Sequence, residues 1–188
     1  MVRREQSPRL ELDNEPTLDY ADREGLRALV GTSESGPTGI YSSVDPANLN
    51  PYEPDWGDLV RLHKLARRRR VMNVLEFGCG YSSLIFADAL HKNCIDYGDY
   101  AKKNLRRSDP FRLDVLDDFP QFIELTKSRV PRHLEEFVRF HFSPVEMSEF
   151  AQRICTRYLN LPNVCPDLIY LDGPSQHSVL GDVSGITT

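Results

Sequence analysis

The sequence has no long apolar run, no surplus of positive charge and no paired cysteine spacing, and each absence removes a class of function. No stretch approaches the roughly 20 apolar residues that a membrane-spanning helix needs. The polar opening, Met1-Val2-Arg3-Arg4-Glu5-Gln6-Ser7-Pro8, has no apolar segment behind it of the kind a secretory leader carries. A formal net charge of −5 gives no broad attraction to nucleic acid or to an anionic membrane. Cys79, Cys94, Cys155 and Cys165 show no Cys-x-x-Cys spacing, and no histidine pair completes a zinc pattern, so no metal site is expected. Four reduced thiols in a cytoplasmic protein are the expectation. No internal repeat and no Ser-His-Asp arrangement can be read.

What is present divides in two. Residues 1–50 carry charges, prolines and glycines, including Gly36-Pro37-Thr38-Gly39 and Asp45-Pro46, and lack sustained apolar periodicity apart from a short helical stretch over 20–30. This portion reads as a partly irregular arm or lid, with Tyr41 and Tyr52 available to pack on the domain or on a ligand. From residue 51 to 188 the pattern is that of one folded domain. Asp55 can cap a helix in which Leu59, Leu62, Leu65 and Ala66 recur at helical spacing, ending in Arg67-Arg68-Arg69-Arg70. Positive charge suits a helix C-terminus, so a solvated helix end is expected there rather than a nucleic-acid patch.

The run Val71-Met72-Asn73-Val74-Leu75-Glu76-Phe77 is short, apolar and followed by a glycine turn, as for a buried parallel strand. Ser82 or Ser83 can cap a following helix over 84–91, and residues 92–110 read as polar and turn-like. Further strands are predicted over 111–116, 137–142 and 167–171, with helices over 120–129 and 146–159; Pro131 stops the former helix. Strands alternating with helices imply an α/β architecture with a mainly parallel sheet, whose strand ends share one ligand-binding edge.

The candidate chemistry gathers at those strand ends. A side-chain-free turn at Gly78-Cys79-Gly80 permits close backbone approach by a ligand, and the helix after it offers unpaired N–H groups to an anionic group. Glu76 is a poor neighbour for phosphate and a better one for the amino group of a zwitterion. Asp117 or Asp118 can bridge ribose hydroxyls, or cap the next helix. Glu146 can receive an adenine amino group, or be the ordinary acid of a first helical turn. Asp172, in Asp172-Gly173-Pro174, can orient a substrate, bind a metal, accept a proton or form a turn. His177, five residues on, is a general base by type or a surface histidine.

The segment Val74-Leu75-Glu76-Phe77-Gly78-Cys79-Gly80-Tyr81-Ser82-Ser83 resembles the first motif of class I S-adenosylmethionine-dependent methyltransferases. Asp117 matches that family's acid after the second strand, and Asp167-Leu168-Ile169-Tyr170-Leu171-Asp172-Gly173-Pro174 looks like its fourth-strand motif. The resemblance spans about residues 55–186 and implies a Rossmann-like three-layer sandwich. It implies S-adenosyl-L-methionine as cofactor, with its methionine end over Gly78 and Gly80, Glu76 near its amino group and Asp117 on the ribose; Cys79, Ser82, Asp118 and Glu146 are further cofactor-binding candidates. The methyl group is expected to point towards Asp172, on the side of a small-molecule or glycan acceptor, and His177 is a second catalytic candidate. The family's sheet has seven strands; four or five are legible here, so the sheet is expected to be incomplete at its C-terminal end. Two alternatives stand beside this reading. One is a non-catalytic module that keeps the cofactor site. The other is a nicotinamide-dependent oxidoreductase, although Ser83 stands where a dinucleotide fingerprint wants a third glycine or alanine.

Overall fold

The computed structural model describes residues 15–31 and 53–174. Two short helices, α1 (Thr17–Arg23) and α2 (Leu26–Val30), precede α3 (Trp56–Arg68). Then follow β1 (Asn73–Phe77), α4 (Tyr81–Asn104), β2 (Arg112–Asp117), α5 (Pro120–Arg129), β3 (Val138–Phe142), β4 (Val145–Phe150), β5 (Arg153–Tyr158) and β6 (Leu168–Leu171). Four strands form one parallel sheet in the order β3-β2-β1-β6, and β4 and β5 pair antiparallel as a separate hairpin. The mixed α/β class and the parallel sheet expected from the sequence are present, and Asp55 caps α3 by accepting the Asp58 N–H at 3.1 Å.

Alternation along the strands decides how the sheet is covered. Val74, Leu113, Val115, Val138, Phe140, Leu168 and Tyr170 turn to one face and join the core with Leu59, Leu62 and Ala66 of α3 and Ile85, Phe86 and Leu90 of α4. α5 lies on this side too, with Lys127 over the Phe140 ring. On the opposite face Ile169 and Leu171 are exposed. Among the described residues no helix packs there, so they form two layers where the sequence reading expected three.

That difference has a local cause. Residues 146–159, expected as a helix, form most of the hairpin instead. Met147 sits opposite Thr156 and Glu149 opposite Ile154, so the period is two. The strands are joined through Ala151 and Gln152, both in the left-handed region at φ 50° and 63°. Positive φ at both central residues gives a turn whose twist matches the flanking strands. A second correction concerns residues 92–110: the helix expected to stop at 91 runs on to Asn104. The polar residues that suggested a turn are spent on tertiary contacts. The buried Asn93 amide donates to the carbonyls of Ala66 (3.2 Å) and Val71 (2.8 Å) and accepts from Arg67, joining α4 to the end of α3. The arginine run is likewise engaged, with Arg67 paired to Asp96 at 2.7 Å and Arg70 over the Tyr97 ring.

A buried polar clamp holds the N-terminal helices. The Tyr20 hydroxyl lies 2.8 Å from His63 Nδ1, and His63 Nε2 lies 2.9 Å from Asp88. Lys92 reaches both Asp88 (2.8 Å) and Glu24 (3.1 Å). Burial pushes Asp88 up, but the hydrogen bonds from His63 and Lys92 outweigh it and hold the carboxyl below its ordinary range. Burial lowers His63, with Asp88 opposing. Part of the segment expected as an arm is therefore fixed to the domain; Tyr41 and Tyr52 lie outside the described residues. No described helix is long and apolar enough to cross a membrane.

Asp88→Ala is expected to destabilise the fold by about 3 kcal/mol, because it leaves Lys92 and His63 without their buried partner. Glu146→Ala, at the exposed pair with Arg157, should cost under about 1 kcal/mol. Urea denaturation of the two variants at neutral pH measures the contrast.

Candidate functional site

Parallel pairing brings the ends of β1, β2 and β6 to one edge. Three bonds carry the ladder one step past the strands: Gly78 N–H to Leu116 O (2.7 Å), Asp172 N–H to Phe77 O (2.8 Å) and Ser143 N–H to Asp117 O (3.0 Å). Glu76, Asp117 and Asp172 thereby share that edge. Asp167 seats the other end of β6, its carboxylate accepting the N–H groups of Met72 and Asn73 and pairing with Arg107.

Glu76 is fully buried, and its two oxygens accept hydrogen bonds from Ser82 Oγ (2.5 Å) and Ser83 Oγ (2.6 Å) in the first turn of α4. Burial is the largest influence on this carboxyl. The serine hydroxyls favour its charged form, but Asp172 and Asp117 add repulsion, and the group is pushed up to about 8. Ser83 Oγ also accepts the Gly80 N–H at 3.2 Å. The residue that departs from the dinucleotide pattern thus serves Glu76 and the turn together.

The two glycines of the turn have different reasons to be glycine. Gly78 stands at φ 91°, and a Cβ there would meet the Asp172 carbonyl oxygen at 2.8 Å. It is required by the close passage of β6's end over the turn, as well as by backbone conformation. Gly80 has an extended backbone, and a Cβ there would meet nothing within 4 Å. Among the described residues nothing gives a steric reason for that glycine. Cys79 donates its N–H to Asp117 Oδ2 (2.9 Å), and its thiol takes a hydrogen bond from Thr126 (3.4 Å). Burial and Asp117 raise the thiol far above its usual range, so it stays a neutral group and no nucleophile.

Asp117 is buried, and its oxygens accept the N–H groups of Cys79 (2.9 Å) and Phe119 (2.8 Å). Burial raises this carboxyl, against the bonds from the Phe119 N–H, the Cys79 thiol and the Cys79 N–H. Asp118 is half-buried beside it. Asp172 is exposed at the end of β6; its carboxyl is raised by desolvation and by Asp58, with the Tyr170 hydroxyl acting the other way.

The remaining predicted residues go elsewhere. Glu146 lies on β4 rather than in a helix, opposite Arg157 and ion-paired with it across the hairpin. His177 lies outside the described residues. His63 is in the clamp, His91 packs on His133 and Phe137, and His141 is hydrogen-bonded to Asp114 at 2.7 Å. Among the described residues no cluster of histidine, cysteine, aspartate and glutamate is arranged to hold a metal ion. Tyr158, which the sequence reading assigned no role, is brought to the edge by the hairpin, with its ring 5.4 Å from that of Phe77.

No protein-family model matches the sequence, and none of the curated proteins matches it.

Gly78→Ala is expected to destabilise the fold by about 3 kcal/mol or more, from strained backbone and the clash with Asp172. Gly80→Ala should leave stability within about 0.5 kcal/mol of the parent. Thermal and urea denaturation test the pair. Glu76 makes a pH-dependent contribution of definite sign. Its folded pKa lies above the unfolded value, so its contribution is complete at acid pH and is lost as pH rises towards 8. Asp117 and Asp172 act in the same sense. As pH rises through this range, the parent's urea midpoint should lose ground to that of Glu76→Gln; parallel profiles would contradict the assignment.

Proposed function

We propose that the chain carries a class I, Rossmann-like S-adenosylmethionine-dependent methyltransferase site, acting in the cytoplasm on a small-molecule or glycan acceptor. The observation that carries this reading is the gathering of Glu76, Asp117 and Asp172, each with its carboxyl raised. The charges that act on them are other carboxylates: Asp172 and Asp117 on Glu76, Asp118 on Asp117, and Asp58 on Asp172. A ligand bringing positive charge relieves that repulsion, and a pyrophosphate worsens it. The sulfonium cofactor brings an ammonium group and a positive sulfur against one carboxylate. A nicotinamide dinucleotide brings two phosphates, so the charge of the site argues against it.

The residues fit such a ligand in the following roles. Glu76, buried beneath the turn, acts on the ammonium group through its charge, and the N–H groups at the start of α4 meet the carboxylate. Gly80 admits close approach to the turn, and Asp117, with Asp118 beside it, takes the ribose. Glu146, spent on Arg157, is left out of the adenine site. The cofactor supplies a methyl group already activated by positive sulfur, so holding the acceptor in line provides much of the rate. Asp172, exposed and with a raised carboxyl, can take a proton from the acceptor on its carboxylate oxygen.

A second reading, a module that binds the cofactor without turnover, has one observation in its favour. The described histidines are all engaged away from the edge, so none stands there as a base.

Calorimetry with S-adenosylmethionine and S-adenosylhomocysteine tests the first reading, and failure of folded protein to bind either sinks it. Binding has a further signature. Burial raises the Glu76 carboxyl in the free protein, and an ammonium group brought near it favours the ionised form. In buffers of different ionisation enthalpy, binding near neutral pH should release protons, and Glu76→Gln should reduce that release. Gly80→Ala, folded as the parent, should lose affinity at least tenfold, about 1.4 kcal/mol. Cofactor binding without methyl transfer across a broad acceptor panel favours the second reading.

A further inference from the structure

We propose that Tyr158 contacts the ligand, its hydroxyl donating a hydrogen bond to a sugar hydroxyl of a bound nucleoside that in turn donates to Asp117. The proposal rests on the reading of the edge as a nucleoside site and adds to it the hairpin's contribution.

Tyr158 ends β5 and is 8% exposed. Its ring lies against Phe77, the last residue of β1, and its hydroxyl would stand 3.0 Å from a Cβ built on Gly173. The ring is thus wedged between β1 and the turn after β6. The hairpin's exit is fixed there by Leu159 N–H to Pro144 O (2.9 Å) and Asn160 N–H to Ser143 Oγ (2.8 Å). The position of the phenol is therefore set by the fold. Among the described residues its hydroxyl is the one buried side-chain polar atom with no hydrogen-bond partner. Leaving such a group unmatched costs about 1–3 kcal/mol.

The surroundings say what matches it. Burial, with Asp118, Asp117 and Cys79 adding to it, pushes the phenol far above its usual range, so it remains a neutral donor. It faces Asp117 and Asp118 electrostatically without bonding to either. A group between them must accept from the phenol and donate to a carboxylate. An ammonium only donates, and a phosphate or carboxylate only accepts. A hydroxyl does both. Asp117 has a lone pair left to receive it: a carboxylate offers about four, and the N–H groups of Cys79 and Phe119 and the Cys79 thiol take three.

Tyr158→Phe removes the hydroxyl and keeps the ring on Phe77. Calorimetry with adenosine, 2′-deoxyadenosine, 3′-deoxyadenosine and S-adenosylhomocysteine, together with thermal denaturation of the free protein, tests the proposal. The expected result is an unchanged or higher Tm and a loss of adenosine affinity of about five- to fifteen-fold. That loss should vanish for whichever deoxynucleoside lacks the contacted hydroxyl. Equal adenosine affinity in parent and variant overturns the proposal. So does a lowered Tm with the same proportional loss for all the ligands, which is the mark of a structural role. If the parent binds adenosine but not S-adenosylhomocysteine, the methyltransferase reading falls and the Tyr158 comparison still decides the proposal. If the parent binds no nucleoside, both fall.

Discussion

The carboxyl group of Glu76 ties the end of β1 to the first turn of α4, and the candidate site is arranged around that tie. Two serine hydroxyls hold a side chain that has no access to water. They hold it at the point where the chain leaves the sheet and enters its longest helix. Burying a carboxyl is expensive unless it is matched by hydrogen bonds or by opposite charge. Here the hydrogen bonds are supplied and the opposite charge is not: the nearest charged influences are Asp172 and Asp117. The turn between strand and helix has to be tight for Ser82 and Ser83 to reach back. Its tightness brings Gly78 against the backbone of Asp172 and Gly173. One buried group thus couples three chain segments, and a substitution in any of them is felt at the others.

What could be read from the sequence follows from how local each feature is. The strand, turn and helix at 73–83 are dictated by a contiguous stretch, and Asp117 and Asp172 follow apolar strands whose ends parallel pairing must align. The hairpin was not legible for a definite reason. Its turn uses Ala151 and Gln152 in a conformation that Asn and Gly usually signal. With no glycine to mark the turn, residues 146–159 present apolar side chains at spacings that also suit a helix. The length of α4 was hidden for another reason. Asn93 and Lys92 look like loop residues until their partners are known, and those partners, Val71 and Glu24, lie 22 and 68 residues away. Glu146 is a candidate for the adenine group because it follows the third strand; opposite Arg157 in the hairpin, its carboxylate has a nearer partner.

The clamp around His63 illustrates the same limit in the arm. Tyr20 is separated from His63 by 43 residues and His63 from Asp88 by 25, so no window of sequence contains the arrangement. Yet its consequence is simple. The clamp fixes α1 and α2 to α3 and α4, on the side of the sheet away from the exposed Ile169 and Leu171. These helices leave the face that carries those two residues uncovered.

The hairpin changes what the edge can discriminate. A crossover helix between β3 and β6 would cover the second face of the sheet and present its own N-terminus to the ligand, favouring negative charge. The hairpin covers only part of that face, through Tyr158 on Phe77, and presents no helix N-terminus. It brings to the edge a neutral phenol, and it keeps its charged pair, Glu146 and Arg157, bound to each other. No positive end is therefore added by this connection, and carboxyl groups dominate the charge of the edge. On the proposed function, selection follows from these two properties together. Charge repulsion among the acids would reward a cationic ligand. The unpartnered phenol would reward a ligand carrying a hydroxyl, which can accept and donate at once. A sulfonium nucleoside satisfies both, an ammonium compound without a sugar only the first, and a phosphorylated nucleotide only the second.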